Sequence, residues 1–582
     1  MTARSLVLLL PLFASACFVD RIYDDIPLER VWGRAQSPSF AACVFATPQI
    51  YDAISEPTML VAAGDGVVLA LDPLSGAELW RVSMPAPDGE APMIVASPVR
   101  VAERLVVAYH TVGAGEARTL DTEPLRHRVA VVDLANRRLD PAFAPLEIAI
   151  DKPVSGGETV SFAPARQLAR GQLVSLPPRR GSAASLGTAY VSYGSHARTQ
   201  PWHGWLLELD LDAWLASGTA SAISGVLLTT PEADCDAVGA DANTRCGGGF
   251  DGGAGPLVLP GSDDGRGDDA RLLVAVSNGE LDLARSRYAN ALLRLRRGVE
   301  LSYACEPSLC AGSEATDPKE RCLESCIDVH LPRLLPGQSP PRPPSVDCTG
   351  LSLLACLGRL DLAPAVTPVA IEARGRQAIV WPTPDGHVSL LGTDKLGTLY
   401  DRARVADDCG ASGDACSDVS AGTIAAQPAL STLEGWPLVV VSTFMPDKTH
   451  AAGLSALVVV ERDDGSLGFT TLWRSADVEA SLLAAAGSTT APLRFRQRPT
   501  RAVIGTARDA SVAWIVDIGA AESGRGNLLA MRLRDGRIVV EQPLGQGAGV
   551  ASAAPLVQDE TVTVSSCVDG KGHLERYRVT LP

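Results

Sequence analysis

The sequence lacks long apolar runs, adjacent cysteines and an excess of positive charge. After the N-terminal segment, no stretch reaches the roughly 18 apolar residues of a membrane-spanning helix, so we expect no transmembrane helix. Lys and Arg total 51 against 67 Asp and Glu, and the resulting charge of −16 disfavours nucleic acid and anionic lipid as partners. The motifs GxSxG and HExxH are also missing, and no Ser/His/Asp set can be argued from spacing.

The composition is that of a folded chain rich in turns. Hydrophobic residues make up 46% of the 582 residues and charged residues 20%, which is enough for a sizeable core and excludes global disorder. The 54 Gly and 41 Pro predict many turns and few long helices.

The first 17 residues have the pattern of an export signal. Arg4 precedes an apolar stretch at 6–13 that is too short to span a bilayer, and Ala14-Ser15-Ala16-Cys17 resembles a bacterial lipobox, with Ala14 where Leu is usual. We predict a signal peptide at 1–16, lipidation of Cys17 and a lipid-anchored linker at 17–27. Such a protein would lie at the outer membrane, facing the periplasm or the cell surface. The alternative is an ordinary signal peptide cut after Ala16, with Cys17 incidental.

The cysteine count agrees with export. Thirteen cysteines are present, and removing Cys17 leaves twelve, which can form six disulfides. Zinc is the alternative for the four cysteines between 305 and 326, although they lack CxxC spacing. The disulfide candidates are Cys43, Cys567, Cys235, Cys246, Cys305, Cys310, Cys322, Cys326, Cys348, Cys356, Cys409 and Cys416.

An internal repeat organises the chain. Its clearest copy, at 60–80, reads strand, Asp65-Gly66 hairpin turn, strand, turn and a strand containing Trp80. Degraded copies begin near 127, 204, 290, 386, 455, 527 and 572. A single four-stranded sheet cannot bury both of its faces, so eight copies predict an all-β, eight-bladed β-propeller over 28–582, with seven blades as the alternative.

The last copy lacks an outer strand, and residues 28–35, which contain Trp32, resemble one. We therefore expect this N-terminal strand to close the last blade. Ring closure makes the first and last blades neighbours. We place Cys43 in the first strand of blade one and Cys567 in the last blade, and therefore predict a disulfide between them at the seam. The alternative is that they are two unrelated thiols.

The pattern GxhhhALDxxTGxxxW, best matched at 66–80, resembles the quinoprotein-like (PQQ-like) propeller repeat family. Segments 189–210, 246–256 and 275–279 resemble the third and fourth blades of its secreted members. The resemblance implies PQQ held between a vicinal Cys-Cys disulfide and a Trp floor, with Ca²⁺ and a catalytic Asp. This chain has no Cys-Cys dipeptide and no CxxCH haem motif, and Phe250 stands at the Trp position. We therefore expect no cofactor, no metal and no catalytic set, with PQQ and Ca²⁺ as the alternative.

Two features suggest binding. His196, Trp202, His203 and Trp205 could line a sugar- or ligand-binding loop; the interpretation we favour is that they brace a blade corner, with Trp205 in the core. Residues 299–362 form a Cys- and Pro-rich insertion between blades four and five, for which partner binding and passive decoration are equally open.

Together these patterns predict an envelope-anchored, non-catalytic propeller lipoprotein that binds other envelope proteins, as a monomer or within a complex. The closest functional analogue is the propeller lipoprotein of outer-membrane protein assembly, by analogy of fold alone. The alternatives are a PQQ-dependent oxidoreductase and a carbohydrate-binding surface module.

Overall fold

Eight antiparallel sheets, each built around four strands, form the computed structural model. First strands of neighbouring blades contact one another and fourth strands carry many of the exposed side chains, so strands a to d run from the propeller axis to the rim. The predicted eight-bladed all-β propeller is confirmed. The structure describes residues 26–52, 57–154, 157–178, 185–196, 202–231, 246–250, 252–253, 255–259, 270–301, 305–306, 309, 321–332, 353–358, 365–384, 386–405, 424, 426–443, 453–478, 481, 499–517, 525–546 and 553–580.

Blades one, five, six and seven are simple meanders in which each strand pairs with the next along the chain, and blade four differs from them by a short hairpin between strands b and c. Their strands a to d, blade by blade, are Gln49–Asp52, Pro57–Ala63, Val67–Leu71 and Glu78–Ser83; Leu257–Leu259, Arg271–Ala275, Leu292–Leu295 and Val329–His330; Val369–Ala373, Arg376–Thr383, His387–Gly392 and Leu399–Arg404; Ala429–Leu433, Trp436–Thr443, Gly453–Glu461 and Leu467–Arg474; Val503–Ala507, Ala510–Asp517, Arg525–Arg532 and Ile538–Gln546.

Blades two, three and eight depart from this plan. Blades two and three carry extra short strands, and the outer strand of blade eight comes from the N-terminus. Their strands are Glu90–Met93, Val99–Val101, Arg104–Gly113, Arg126–Asp133, Arg138–Leu139 and Leu146–Glu147; Gln167–Leu168, Val174–Leu176, Thr188–Ser195, Trp205–Asp210 and Ile223–Leu228; Leu556–Gln558, Thr561–Val568, Lys571–Val579 and Leu28–Trp32.

The remaining elements lie in connections. The strand pairs Asp151–Pro153 with Thr159–Ser161 and Leu281–Asp282 with Arg287–Tyr288 are short hairpins. The described helices include the α-helices Leu211–Ser217, Arg321–Ser325 and Leu353–Gly358 and the 3₁₀ helices Pro164–Arg166, Thr219–Ser221 and Leu283–Arg285.

Tryptophans on outer strands fasten one blade to the next. Trp32 of blade eight donates its indole N–H to Pro73 O in the c–d turn of blade one, at 2.9 Å. Trp473 of blade six does the same to Leu533 O of blade seven, at 2.7 Å. Gly76 lies under the Trp32 ring, and a Cβ on Gly76 would come within 2.7 Å of that ring. Gly536 lies under the Trp473 ring in the same way, at 2.6 Å. The Trp and Gly positions of the repeat therefore act together across a blade junction.

Hydrogen bonds also join the blades near the axis. Gln49 Nε2 donates to Pro98 O at 2.7 Å, and Gln427 Nε2 donates to Pro368 O at 3.1 Å. Between blades two and three, the Leu173 N–H donates to Ser97 O at 2.9 Å. These bonds satisfy backbone carbonyls at the start of the inner strands, where no ladder partner exists.

The N-terminal strand closes the ring as predicted. Leu28–Trp32 pairs antiparallel with Lys571–Val579 of blade eight. A disulfide joins Cys43 to Cys567, with Cα atoms 5.1 Å apart. The prediction that Cys43 lies in the first strand of blade one was wrong, because Cys43 lies in the irregular segment before that strand. The chain there passes over blade eight, where Gly572 N donates to Ala42 O at 3.0 Å.

A second disulfide, Cys305–Cys326, lies within the predicted four-cysteine cluster, with Cα atoms 3.9 Å apart. Cys246 and Cys322 are also disulfide-bonded. Cys17, Cys235, Cys310, Cys348, Cys356, Cys409 and Cys416 lie outside the residues whose side chains the structure describes.

The segment 299–362, expected as an insertion between blades, contributes to the propeller itself. Its residues Val329–His330 form strand d of blade four, pairing with Leu292 and Leu293. Cys322 and Cys326 are buried in the same hydrophobic cluster as the blade. This segment therefore carries the outer strand of blade four as well as the cysteine cluster.

Candidate functional site

The four residues of the predicted ligand cluster lie at one corner of blade three, and all are inside the protein. The exposed fractions are 5% for His196, 4% for Trp202, 8% for His203 and 0% for Trp205. His196 follows strand b, whereas the other three lie at the start of strand c. The side chains therefore present little surface to a ligand.

His203 is held by the backbone of its own blade. Its Nδ1 lies 2.8 Å from Thr230 O and 3.1 Å from Thr230 Oγ1, which fits an Nδ1–H donor, since a carbonyl only accepts. Burial lowers the pKa of His203 to about 4, so the ring is neutral at pH 7. Its ring and that of Trp205 are 6.5 Å apart, edge to face.

A glycine segment packs directly on this corner. Gly247, at φ +76°, bridges to His203, and a Cβ on Gly247 would lie 3.3 Å from the Trp202 ring. A Cβ on Gly204 would meet Gly248 O, and Thr229 Oγ1 donates to that same carbonyl at 2.7 Å. Gly247 and Gly248 thus allow close backbone packing, which supports the interpretation that the cluster braces a blade corner. A ligand role for the four residues stays an untested prediction.

His196 faces the neighbouring blade. Its Nε2 lies 3.1 Å from Leu120 O in the b–c connection of blade two, and burial is the main cause of its lowered pKa. The structure therefore separates His196 from the partners of His203 and directs it towards a second group of histidines.

That second group, His110 and His127, was missed by the sequence analysis. The two residues are directly opposite each other on strands b and c of blade two, with ring centroids 5.7 Å apart. His127 packs edge to face against Tyr193 of blade three at 5.1 Å and against Phe162 at 5.5 Å. The available signal was positional: histidines end strand b and begin strand c in two successive copies of the repeat.

This regularity extends round the ring. We name the b–c face as the end of the propeller at which strands b end and strands c begin. Every histidine that the structure describes lies at this end: His110, His127, His196, His203, His330, His387 and His573. The b–c face is therefore where the described histidines concentrate and where a ligand site would be sought first.

The quinone cradle that the resemblance implies does not assemble from the described residues. Phe250, at the Trp position, is buried in a cluster with Tyr190 and Leu206. The small cavity beside it, about 240 Å³ including space open to solvent, is lined by backbone, apolar groups and the hydroxyls of Ser192 and Thr367, with no cationic side chain for a carboxylated quinone. Within the described ranges, no three His, Cys, Asp or Glu side chains converge as a metal site would require. The described residues that line this cavity thus do not supply the groups that would hold PQQ with Ca²⁺.

The described part of the chain has no helix both long and apolar enough to cross a membrane.

The β-propeller fold is similar to that of solved alcohol and methanol dehydrogenases. Among solved structures, a quinohemoprotein alcohol dehydrogenase from Pseudomonas putida HK5 matches with a TM-score of 0.52 and 12% identity, over 97% of this chain and 78% of that one. A europium-containing methanol dehydrogenase matches with a TM-score of 0.51 and 11% identity, over 95% and 93%. BamB from Moraxella catarrhalis matches with a TM-score of 0.31, 10% identity, and coverage of 83% and 98%, which is too distant to support a functional argument.

No protein-family model and no curated protein matches the sequence. At these identities the solved structures show the fold alone.

Proposed function

We propose that this chain is an exported, lipid-anchored, non-catalytic propeller that acts as a binding or assembly scaffold for other proteins of a bacterial envelope. The observation that carries the proposal is the burial of the candidate ligand cluster. Nε2 of His196 and Nδ1 of His203 are within hydrogen-bond distance of backbone oxygens, and Trp205 lies in the core. A scaffold needs a rigid surface rather than a pocket lined by catalytic groups, and the closed ring provides a rigid surface.

The disulfides support export. Cys43–Cys567 and Cys305–Cys326 would persist in an oxidising compartment and would be reduced in a bacterial cytosol. Lipidation of Cys17 would then hold the ring at the membrane, because residues 17–27 lead directly into the strand that closes blade eight.

Cross-linking in intact envelopes tests the scaffold role. The full chain, affinity-tagged at its C-terminus, is cross-linked in place and purified, and linked peptides are mapped. We expect links to a small set of envelope proteins that concentrate on one face of the propeller. Links scattered over all faces at the level of an unrelated tagged lipoprotein would contradict a scaffold.

The alternative is a PQQ-dependent oxidoreductase, which the resemblance of the repeat implies. Purified protein is titrated with PQQ and Ca²⁺ while the quinone absorbance is followed. The scaffold proposal predicts no saturable spectral change and no reduction of an artificial electron acceptor with alcohols. A one-to-one saturable change accompanied by acceptor reduction would replace the scaffold with an enzyme.

A carbohydrate-binding module is disfavoured by the position of Trp202, which is buried against Gly247 and so cannot stack on a pyranose without rearrangement. Binding on a glycan array that Trp202→Ala abolishes would reverse this conclusion.

A further inference from the structure

The junction between blades two and three contains three histidines. His110 and His127 face each other from strands b and c of blade two, and His196 follows strand b of blade three. His110 is 3% exposed and His127 1%, so both rings lie inside the junction. The hydrophobic cluster around them is shared by the two blades and includes Phe162, Tyr193 and Trp205.

His127 fastens the connection that leads from blade two to blade three. Its Nε2 lies 2.9 Å from Gln167 O and 3.2 Å from Pro164 O. Carbonyls accept only, so the proton sits on Nε2 and Nδ1 carries a lone pair. The ring lies inside the junction, so a second proton on it would create a cation in a desolvated site.

The surroundings offer such a cation little compensation. Arg170 donates to Ser195 O at 2.7 Å and, with His127 and His196, disfavours a charge on His110. The carboxylates Asp121 and Glu123 act on His196 at the edge of the junction. Tyr193 Oη is buried and has no partner within the described chain. The elements packed here carry further charged and titratable groups. Blade two contributes Glu90, Arg104, Tyr109, Arg126, Arg128 and Asp133, and its b–c connection contributes Glu116, Arg118, Asp121 and Glu123. The connection to blade three contributes Arg166 and Arg170, and blade three contributes Tyr190, Tyr193 and His196.

Burial lowers the pKa of His127 to about 4 and that of His110 well below its usual value. Both rings are thus neutral at pH 7, and each gains a proton readily only when the junction opens to water.

We propose that the junction between blades two and three is an acid-sensitive hinge, in which protonation of His110 and His127 releases the connection at 164–168 and parts the two blades. The opening exposes apolar surface that the shared cluster covers at neutral pH. Other junctions lack a facing pair of buried histidines among the described residues, so the ring opens at this position first.

Hydrogen exchange resolved by peptide, at pH 7 and pH 5 and corrected for the intrinsic rate, tests the hinge. We expect strands Arg104–Gly113, Arg126–Asp133 and Thr188–Ser195 to lose protection on acidification while Gly453–Glu461 and Ala510–Asp517 of blades six and seven keep theirs. One titrating histidine raises the population of the open state up to about tenfold per pH unit. Equal loss in all blades, or no loss, would overturn the proposal.

Variants separate the hinge from a general structural role. His127→Gln keeps an N–H donor for the carbonyls and cannot be protonated, and His110→Leu removes the second site. In the double variant, protection at the junction should no longer depend on pH, whatever its level at pH 7. His330→Gln is the matched control: His330 is buried in blade four, with Nδ1 2.9 Å from Leu396 O. If the double variant keeps the wild-type pH dependence, or if His330→Gln abolishes it, the hinge is wrong.

Discussion

Cys43 and Cys567 are 524 positions apart in the sequence and are joined by a disulfide. The bond crosses the place where the N-terminal strand completes blade eight, so the ring is closed there by a strand ladder and a covalent bond together. The nearby ion pair of Arg34 with the buried Glu575 carboxylate, at 3.9 Å, adds a third link.

Removing this disulfide should lower the stability of the whole propeller. In the chain-entropy account, a bond that closes so long a loop stabilises by up to about 5 kcal/mol, against about 3 kcal/mol for a short loop. We expect Cys43→Ala/Cys567→Ala to reduce the denaturant midpoint more than Cys305→Ala/Cys326→Ala, whose loop has a sequence separation of 21. Urea unfolding followed by tryptophan fluorescence measures both. A smaller effect at the seam than in the short loop would contradict the role in closure.

The Trp–Gly contact between blades gives a second prediction. Gly536→Ala should destabilise by about 1–3 kcal/mol more than Gly465→Ala, because both glycines have positive φ but only Gly536 has a tryptophan ring where the methyl would go. The control thus isolates the clash from the backbone strain. Thermal unfolding of both variants provides the comparison, and equal losses would show that the Trp473 contact is not rigid.

Much of this architecture could be predicted because it is encoded in repeated positions. Gly66, Gly76 and Trp80 mark the turns and the last strand of the best copy, and degraded forms of this pattern reveal the strands and turns of the others. Ring closure followed from the missing last strand and the tryptophan at position 32. These features are local patterns, and local patterns survive in sequence even when identity between copies is low.

The parts that could not be predicted depend on contacts between unlike segments. Strand d of blade four has only the two residues Val329–His330, too few to show alternation. The partners of His127 are backbone carbonyls of Pro164 and Gln167 in a non-repeating connection. No spacing rule identifies such carbonyls, so His127 looked like an ordinary strand residue.

Buried histidines predict how stability depends on pH. The pKa of His127 and of His203 is lowered from 6.5 to about 4 by burial. Between these two pKa values the unfolded chain binds more protons than the folded chain. The free energy of unfolding therefore falls as the pH drops from about 6.5 to about 4. Each histidine accounts for up to about 3 kcal/mol over that window.

Urea midpoints measured from pH 7.5 to 4.5 check this dependence. His203→Gln should flatten the slope while preserving the donor to Thr230, whereas replacing the partly exposed His573 should change it little. A wild-type slope in His203→Gln would show that the ring is protonated in the folded state or shielded in the unfolded one.

The lipid anchor is decided by one substitution. If Cys17 is the lipidated residue, Cys17→Ser removes the thiol that carries the acyl chains, and the protein should stay unprocessed or leave the membrane fraction. Several acyl chains are needed for stable anchoring, so partial retention is not expected. Cys43→Ser is the matched control: it removes a cysteine of the fold and its disulfide to Cys567, and it should leave membrane association unchanged. Envelope fractionation with mass analysis of the mature N-terminus gives the readout. Processing after Ala16 and release of both wild type and Cys17→Ser into the soluble periplasmic fraction would make Cys17 incidental and the protein an exported but unanchored propeller.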